Sequence, residues 1–347
     1  MAWLFPLGAL GLFAVLGAVP EMTPPVHWGR LPALPDREGF AAPFAGVSGG
    51  SLLVAGGANF PERRPWDGGT KTWYDTVYVL DPHGQAWAVA GRLPQPNAYG
   101  VSVTFGGRLV CIGGGNAEVH YRTVQALGWD GHTLSIEALP PLPRPCAFMS
   151  GALIGSTVYV AGGIEKPDAV SAIGSFYRLD LASPKSGWES LPTWPGPARA
   201  QAVAAASGGK FYLLSGHDLH PGPDGKPLRT YFSDAYAYTP GQGWKRLHDL
   251  PHPAAAAPTP APVNAGGLIF VLTGDDGKRL ALNGPNHPGF QRDLLIYDPG
   301  ADRWQSEGEM PFSRVTVPTA RWGDRWIIPN GERMPGIRSN EVWSLSF

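Results

Sequence analysis

The chain has 347 residues, 43% of them hydrophobic and 11% aromatic, which is ample apolar surface for a core even though Gly 47 and Pro 37 make it rich in turn formers. Its 27 Lys and Arg against 28 Asp and Glu give a formal net charge of −1. A chain this neutral has no global attraction for nucleic acid or for an anionic membrane, both of which need a clustered excess of basic residues.

At the N-terminus, residues 2–19 (AWLFPLGALGLFAVLGAV) carry no charge and are interrupted by Pro6, Gly8, Gly11 and Gly17. A bilayer span needs roughly 20 uninterrupted apolar residues, so the stretch reads instead as an export signal over residues 1–20. Val15 and Gly17 form a small-residue pair suited to signal peptidase, although no Lys or Arg precedes the apolar run. The expectation is a periplasmic or secreted protein, its mature part 21–347 a single folded unit without a membrane segment.

From there on the chain repeats. Short β-rich runs end in a small-residue turn: LLVAGG at Gly57, LVCIGG at Gly114, VYVAGG at Gly163, FYLLSG at Gly216, IFVLTG at Gly274 and WIIPNG at Gly331. The intervals are 57, 49, 53, 58 and 57 residues, in the range of propeller blades. Each mark is followed by a polar loop and an alternating strand: TVYVLD, TVQALG, SFYRLD, DAYAYT, LLIYDP and NEVWSL. A Trp and an apolar-Pro pair usually come next, as in Trp87 with Leu93-Pro94, Trp188 with Leu191-Pro192, Trp244 with Leu250-Pro251 and Trp304 with Met310-Pro311. The second unit has Ile136 in place of the Trp. The order resembles kelch motifs.

The sixth unit lacks its outer strand at the C-terminus, whereas HWGRLPALP near the N-terminus supplies one, with Trp28 and Leu31-Pro32. The prediction is an all-β fold: a six-bladed kelch-type β-propeller closed by N- and C-terminal strands in one blade. A β-sandwich with coincidental Gly-Gly turns is the competing fold. Cys111 and Cys146 both lie in apolar runs and read as buried thiols; export would permit a disulfide, and the sequence leaves their pairing open.

In a propeller, the loops at one end of the axis converge, so the polar residues after the diglycine marks are the candidate site. They include Asn59, Arg63, Asn116, Glu165, His217 and Asp275 as substrate-binding candidates, and Glu332 with Arg338. Acids, amides and bases in a ring suit a small polar ligand. His217 and His220 could be read as a metal pair, but no third ligand stands at diagnostic spacing and no metal is expected. The repeated Asp-box of sialidases is absent, GGTKTWY only brushing against it.

Two segments carry a more specific likeness. FAGVSGGSLLVAGGANFPERRPWDGGTKTWYDTVYVL (44–80) and NGERMPGIRSNEVWSLSF (330–347) resemble the bacterial N-acetylneuraminate epimerase family, sialic acid mutarotases built as six-bladed kelch propellers. In that family the Gly-Glu…Pro-Gly-x-Arg segment precedes the GGAxF loop, whereas here it closes the chain. The order is similar to the branch described as cyclically permuted mutarotases, and permutation is tolerated in a closed ring with adjacent termini. The resemblance implies an isomerase without cofactor that opens the ring of N-acetylneuraminate or a related acidic sugar by acid/base chemistry. It puts the family's proton-transferring Glu on Glu332 and its Arg partner on Arg338. It also implies a small acidic sugar as partner, with a homodimer left open. Asn97 stands where the family leads one to expect Arg, which raises the question of a different ligand. The alternative function is a non-catalytic kelch propeller that binds a glycan or protein through its loop face.

Overall fold

Six antiparallel sheets fan around one axis in this computed structural model, which describes residues 1, 25–82, 85–223, 225, 227–282 and 284–347. The export-signal reading falls outside the described residues. The first blade is built from Phe44–Ser48, Ser51–Ala55, Thr76–Leu80 and Ala88–Arg92. The next three repeat the plan from Val101–Phe105, Ser150–Ile154 and Val203–Ser207. The fifth has three full strands, Ile269–Gly274, Gln291–Asp298 and Arg303–Glu309. Its innermost segment holds Pro258, Pro260 and Pro262, which have no N–H to donate, and only Val263 bridges to Ile269.

The sixth blade closes the ring. Strand His27–Leu31 pairs antiparallel with Val342–Ser346, Trp28 opposite Leu345. The chain is therefore an all-β, six-bladed propeller whose termini share one blade, as predicted.

Packing energy lies between blades rather than within them. Eight apolar clusters form among the described residues, and the six larger are each drawn from two neighbouring blades; one joins Val103, Val110 and Ile112 to Val158, Val160 and Leu179. The inner strands of the first four blades are thus largely buried on both faces. Each buried Val, Leu or Ile contributes about 1.5–3 kcal/mol. Cys111 and Cys146 belong to different clusters and are both free thiols. Burial pushes the Cys146 thiol up to about 12, and Cys111 further still.

The sequence marks have distinct physical jobs. At the second position of each diglycine mark φ lies between 90° and 143°, and a Cβ on Gly114 would sit 2.3 Å from Asn97 Oδ1. Only glycine fits there. The first position is also left-handed but tolerates Ser215, Thr273 and Asn330. The tryptophans lock blade to blade: Trp87 Nε1 donates to Pro32 O, Trp188 to Pro140 O and Trp244 to Pro192 O, each at 2.8 Å. Each Trp thus clamps the apolar-Pro pair of the preceding blade.

At the axis, Ala42, Tyr99, Phe148, Gln201, Ala256 and Thr316 all adopt left-handed backbone, with φ from 48° to 66°. Their amides form a closed ring: Tyr99 N donates to Ala42 O, Phe148 N to Tyr99 O, and so on to Ala42 N, which donates to Thr316 O at 2.7 Å. This ring is the floor on which the site stands.

Candidate active site

Above the floor lies a cavity of about 420 Å³, lined by side chains from the loops that follow the diglycine marks. The residue directly after each second glycine is bridged to the residue just before the floor position: Ala41 to Ala58, Ala200 to His217, Ala255 to Asp275, Val315 to Glu332. That bridge turns one side chain toward the axis. In the fourth, fifth and sixth blades the residue so placed is His217, Asp275 or Glu332, and all three line the cavity. In the first three blades it is Ala58, Gly115 or Ile164.

The next residue along points the other way, because side chains alternate on extended backbone. This removes three of the candidates. Asn59 is wholly buried and donates to Asp36 Oδ1 and Gly39 O while accepting from Tyr74. The Asn116 side chain caps its own turn, accepting from Glu118 N and Val119 N. Glu165 faces outward and pairs with Arg144 at 3.3 Å. Arg63 is exposed on the loop and does not line the cavity.

Glu332 and Arg338 are brought together by a short two-stranded turn, Glu332–Met334 against Ile337–Arg338, in register with each other. Glu332 Oε1 accepts from Arg338 Nη1 and from Gly336 N, both at 2.8 Å. A side chain at Gly336 is impossible: its Cβ would lie 2.4 Å from Pro65. The Arg338 side chain is only 3% exposed and packs its guanidinium 5.0 Å from the Phe60 ring centre. Glu332 Oε2 makes no hydrogen bond among the described residues, so it is the oxygen open to chemistry.

On the far wall, Tyr231 donates to Asp275 Oδ2 at 2.7 Å, and burial with the Asp275 charge raises its phenol well above the ordinary value. Burial, aided by Arg229, pushes His217 down to about 4, so its ring is neutral near pH 7. Its Nε2 meets Gln201 Oε1 at 2.8 Å and its Nδ1 meets Asp218 O at 3.3 Å. His287 is also held below its usual value, by burial first, although Asp275 and Glu332 pull it back up. Its Nδ1 accepts from Gly289 N at 3.0 Å, leaving Nε2–H as donor.

Lys71, Arg229, Arg279 and Arg338 face only two carboxylates, Asp275 and Glu332, across the cavity. With the histidines neutral this is a net positive site, suited to an anionic ligand. Sequence reasoning missed Lys71, Arg229, Tyr231, Arg279 and His287. Arg229 and Tyr231 come from a hairpin, His217–Pro221 against Pro227–Tyr231. His217 and His220 lie three apart on that hairpin, one buried at the cavity and one exposed, which is no geometry for a shared metal.

Asn97 also finds a structural explanation. It is buried, and its Nδ2 donates to Gly113 O at 3.0 Å. The equivalent Arg199 and Arg314 are buried too, Arg199 held by Asp234 at 2.6 and 2.8 Å. This position braces the blades and does not reach the cavity, so Asn97 says nothing about the ligand.

The family model for N-acetylneuraminate epimerase matches residues 22–136 and 139–279. An N-acetylneuraminate epimerase of Haemophilus influenzae (strain 86-028NP) is 31% identical over 237 residues, 61% of this chain and 60% of the relative. One from Brucella suis (strain ATCC 23445 / NCTC 10510) is 39% identical over 251 residues, 63% of this chain and 62% of the relative. The chain thus spans about three fifths of the length of the curated relatives it matches. The solved structure of YjhT superposes with a TM-score of 0.67 at 17% identity, covering 90% of this chain and 95% of that one.

Proposed function

The chain belongs to the N-acetylneuraminate epimerase family, and we propose that it is an isomerase, a cofactor-independent mutarotase of N-acetylneuraminate. The observation that carries this reading is Glu332, held at one oxygen by Arg338 and Gly336 and open at the other, in a cavity with an excess of cations. The family match stops at residue 279. Glu332 and Arg338 therefore take their roles from this geometry and from the resemblance of their segment.

N-acetylneuraminate is a hemiketal with a carboxylate on its anomeric carbon. Glu332 Oε2 takes the proton of the anomeric hydroxyl as the bond from the anomeric carbon to the ring oxygen breaks. The anomeric carbon becomes a ketone, and the proton passes from Glu332 to the ring oxygen. Rotation about the bond beside the ketone presents its other face, and the reverse steps close the ring as the other anomer. No proton is gained or lost overall, so one carboxylate suffices for both transfers. Arg338 and Gly336 N–H keep Glu332 aimed between turnovers.

The test is time-resolved proton NMR of freshly released α-N-acetylneuraminate. Approach to the anomeric equilibrium faster than buffer alone is the expected result. No acceleration at micromolar protein removes this sugar as substrate.

A further inference from the structure

The site needs an anchor for the substrate's anionic group, and Arg338, the residue the motif offers, is poorly accessible, its Nε buried without a hydrogen-bond partner among the described residues. Its Nη1 is given to Glu332, and it is almost wholly buried. Arg279 donates to Gly289 O at 2.7 Å. Lys71 is differently placed. Its Nζ lies 5.2 Å from the Trp73 ring centre, 5.3 Å from Tyr99 and 6.0 Å from Phe60, and it donates one hydrogen bond to Tyr99 Oη at 3.2 Å. Among the described residues no carboxylate pairs with it. An ammonium has three donors, so two remain for a ligand.

The geometry points to Lys71 as the residue that binds the carboxylate of the substrate and makes the site selective for acidic over neutral sugars. Three aromatic faces hold the ammonium partly out of water without neutralising it, as a nearby Asp or Glu would. Less hydration is then lost when an anion arrives. The location fits the chemistry as well. The Phe60 ring centre is 5.0 Å from Arg338 and 6.0 Å from Lys71. A carboxylate bonded directly to the anomeric carbon must sit beside the hydroxyl that Glu332 deprotonates, and Lys71 lines the same cavity as the Glu332–Arg338 pair. Arg338 is then a positioning residue for Glu332, and Lys71 the specificity residue.

This inference rests on the mutarotase reading, and its test separates the two. Wild type, Lys71→Met, Lys71→Gln and Lys71→Arg are compared on N-acetylneuraminate and on its carboxamide, in which the carboxylate is replaced by a neutral group of like shape. Wild type is expected to favour the acid by ~30-fold in kcat/KM, the worth of a charge-assisted hydrogen bond in a partly dry site. Both neutral variants should bring that ratio to within about threefold, through KM for the acid; Lys71→Arg should restore most of it. A purely structural Lys71 would instead lower both substrates alike. Turnover of the acid with the wild-type ratio kept in Lys71→Met and Lys71→Gln overturns the assignment and leaves the mutarotase standing. Failure of wild type on both sugars overturns both.

Discussion

Replacing Glu332 by Gln removes one proton acceptor and little else. The amide oxygen can take the place of Oε1, accepting from Arg338 Nη1 and Gly336 N, both 2.8 Å away. The cavity-facing oxygen becomes an NH₂ group, which cannot take a proton. A positioned acid/base group contributes about 10²–10⁴ in rate. kcat should fall by that factor, which is roughly 2.7–5.5 kcal/mol on the barrier. KM should hold or fall, because Arg338 loses its counter-charge and the cavity becomes more positive. The fold should survive with about 1–3 kcal/mol lost, the cost of leaving a buried cation with only a neutral partner. The assay is anomer interconversion by NMR, taken as the rate above buffer and normalised to folded protein by circular dichroism. A well-folded Glu332→Gln enzyme within threefold of wild type would refute the placement of the base.

Further predictions follow from the body of the propeller. Arg199 is fully buried, and Asp234→Asn should cost about 3–5 kcal/mol in urea unfolding because it strands that charge. Burial raises the Asp234 carboxyl, but the Arg199 bonds and charge outweigh it and hold it below its usual value. The pair's stabilisation is therefore complete above the ordinary carboxylate range and disappears as pH falls through the depressed value; Asp234→Asn should flatten that part of the acid-unfolding curve. His217 has the same sign for a different reason: its folded value of about 4 lies under the ordinary 6.5, so stability should fall by roughly 3 kcal/mol as pH drops from the upper value to the lower. His217→Gln should flatten that window, and an unchanged slope would contradict the burial argument. Ile136 pairs with Leu127 where Trp244 pairs with Tyr238, and it lacks the indole that clamps other blades. Ile136→Trp should stabilise the fold by ~1 kcal/mol, seen as a higher urea midpoint.

Much of the fold was legible because repetition over-determines it. The second glycine of each mark has no alternative at its φ, and Trp87, Trp188 and Trp244 each need the carbonyl of an apolar-Pro pair one blade back, while Trp304 uses His248 O. The site was half legible for a related reason. The residue immediately after the diglycine lines the cavity in the last three blades, at His217, Asp275 and Glu332. One step later, at Asn59, Asn116 and Glu165, the side chain turns away, because extended backbone alternates. Arg229, Tyr231 and His287 reach the cavity from loop insertions of unequal length, and no periodicity registers those. Lys71 sits in the one segment, GGTKTWY, that looked like an imperfect copy of another motif.

What the sequence determined by itself is the number of blades and the closure by both termini, since each is written in local pattern and spacing, while the Glu332–Arg338 pair came through the family resemblance of its segment. Only the tertiary structure decided which of the many polar loop residues share a cavity and how its cations are partnered. Those facts depend on the direction a side chain leaves the backbone and on neighbours dozens of residues away, and neither is encoded in any local stretch of chain.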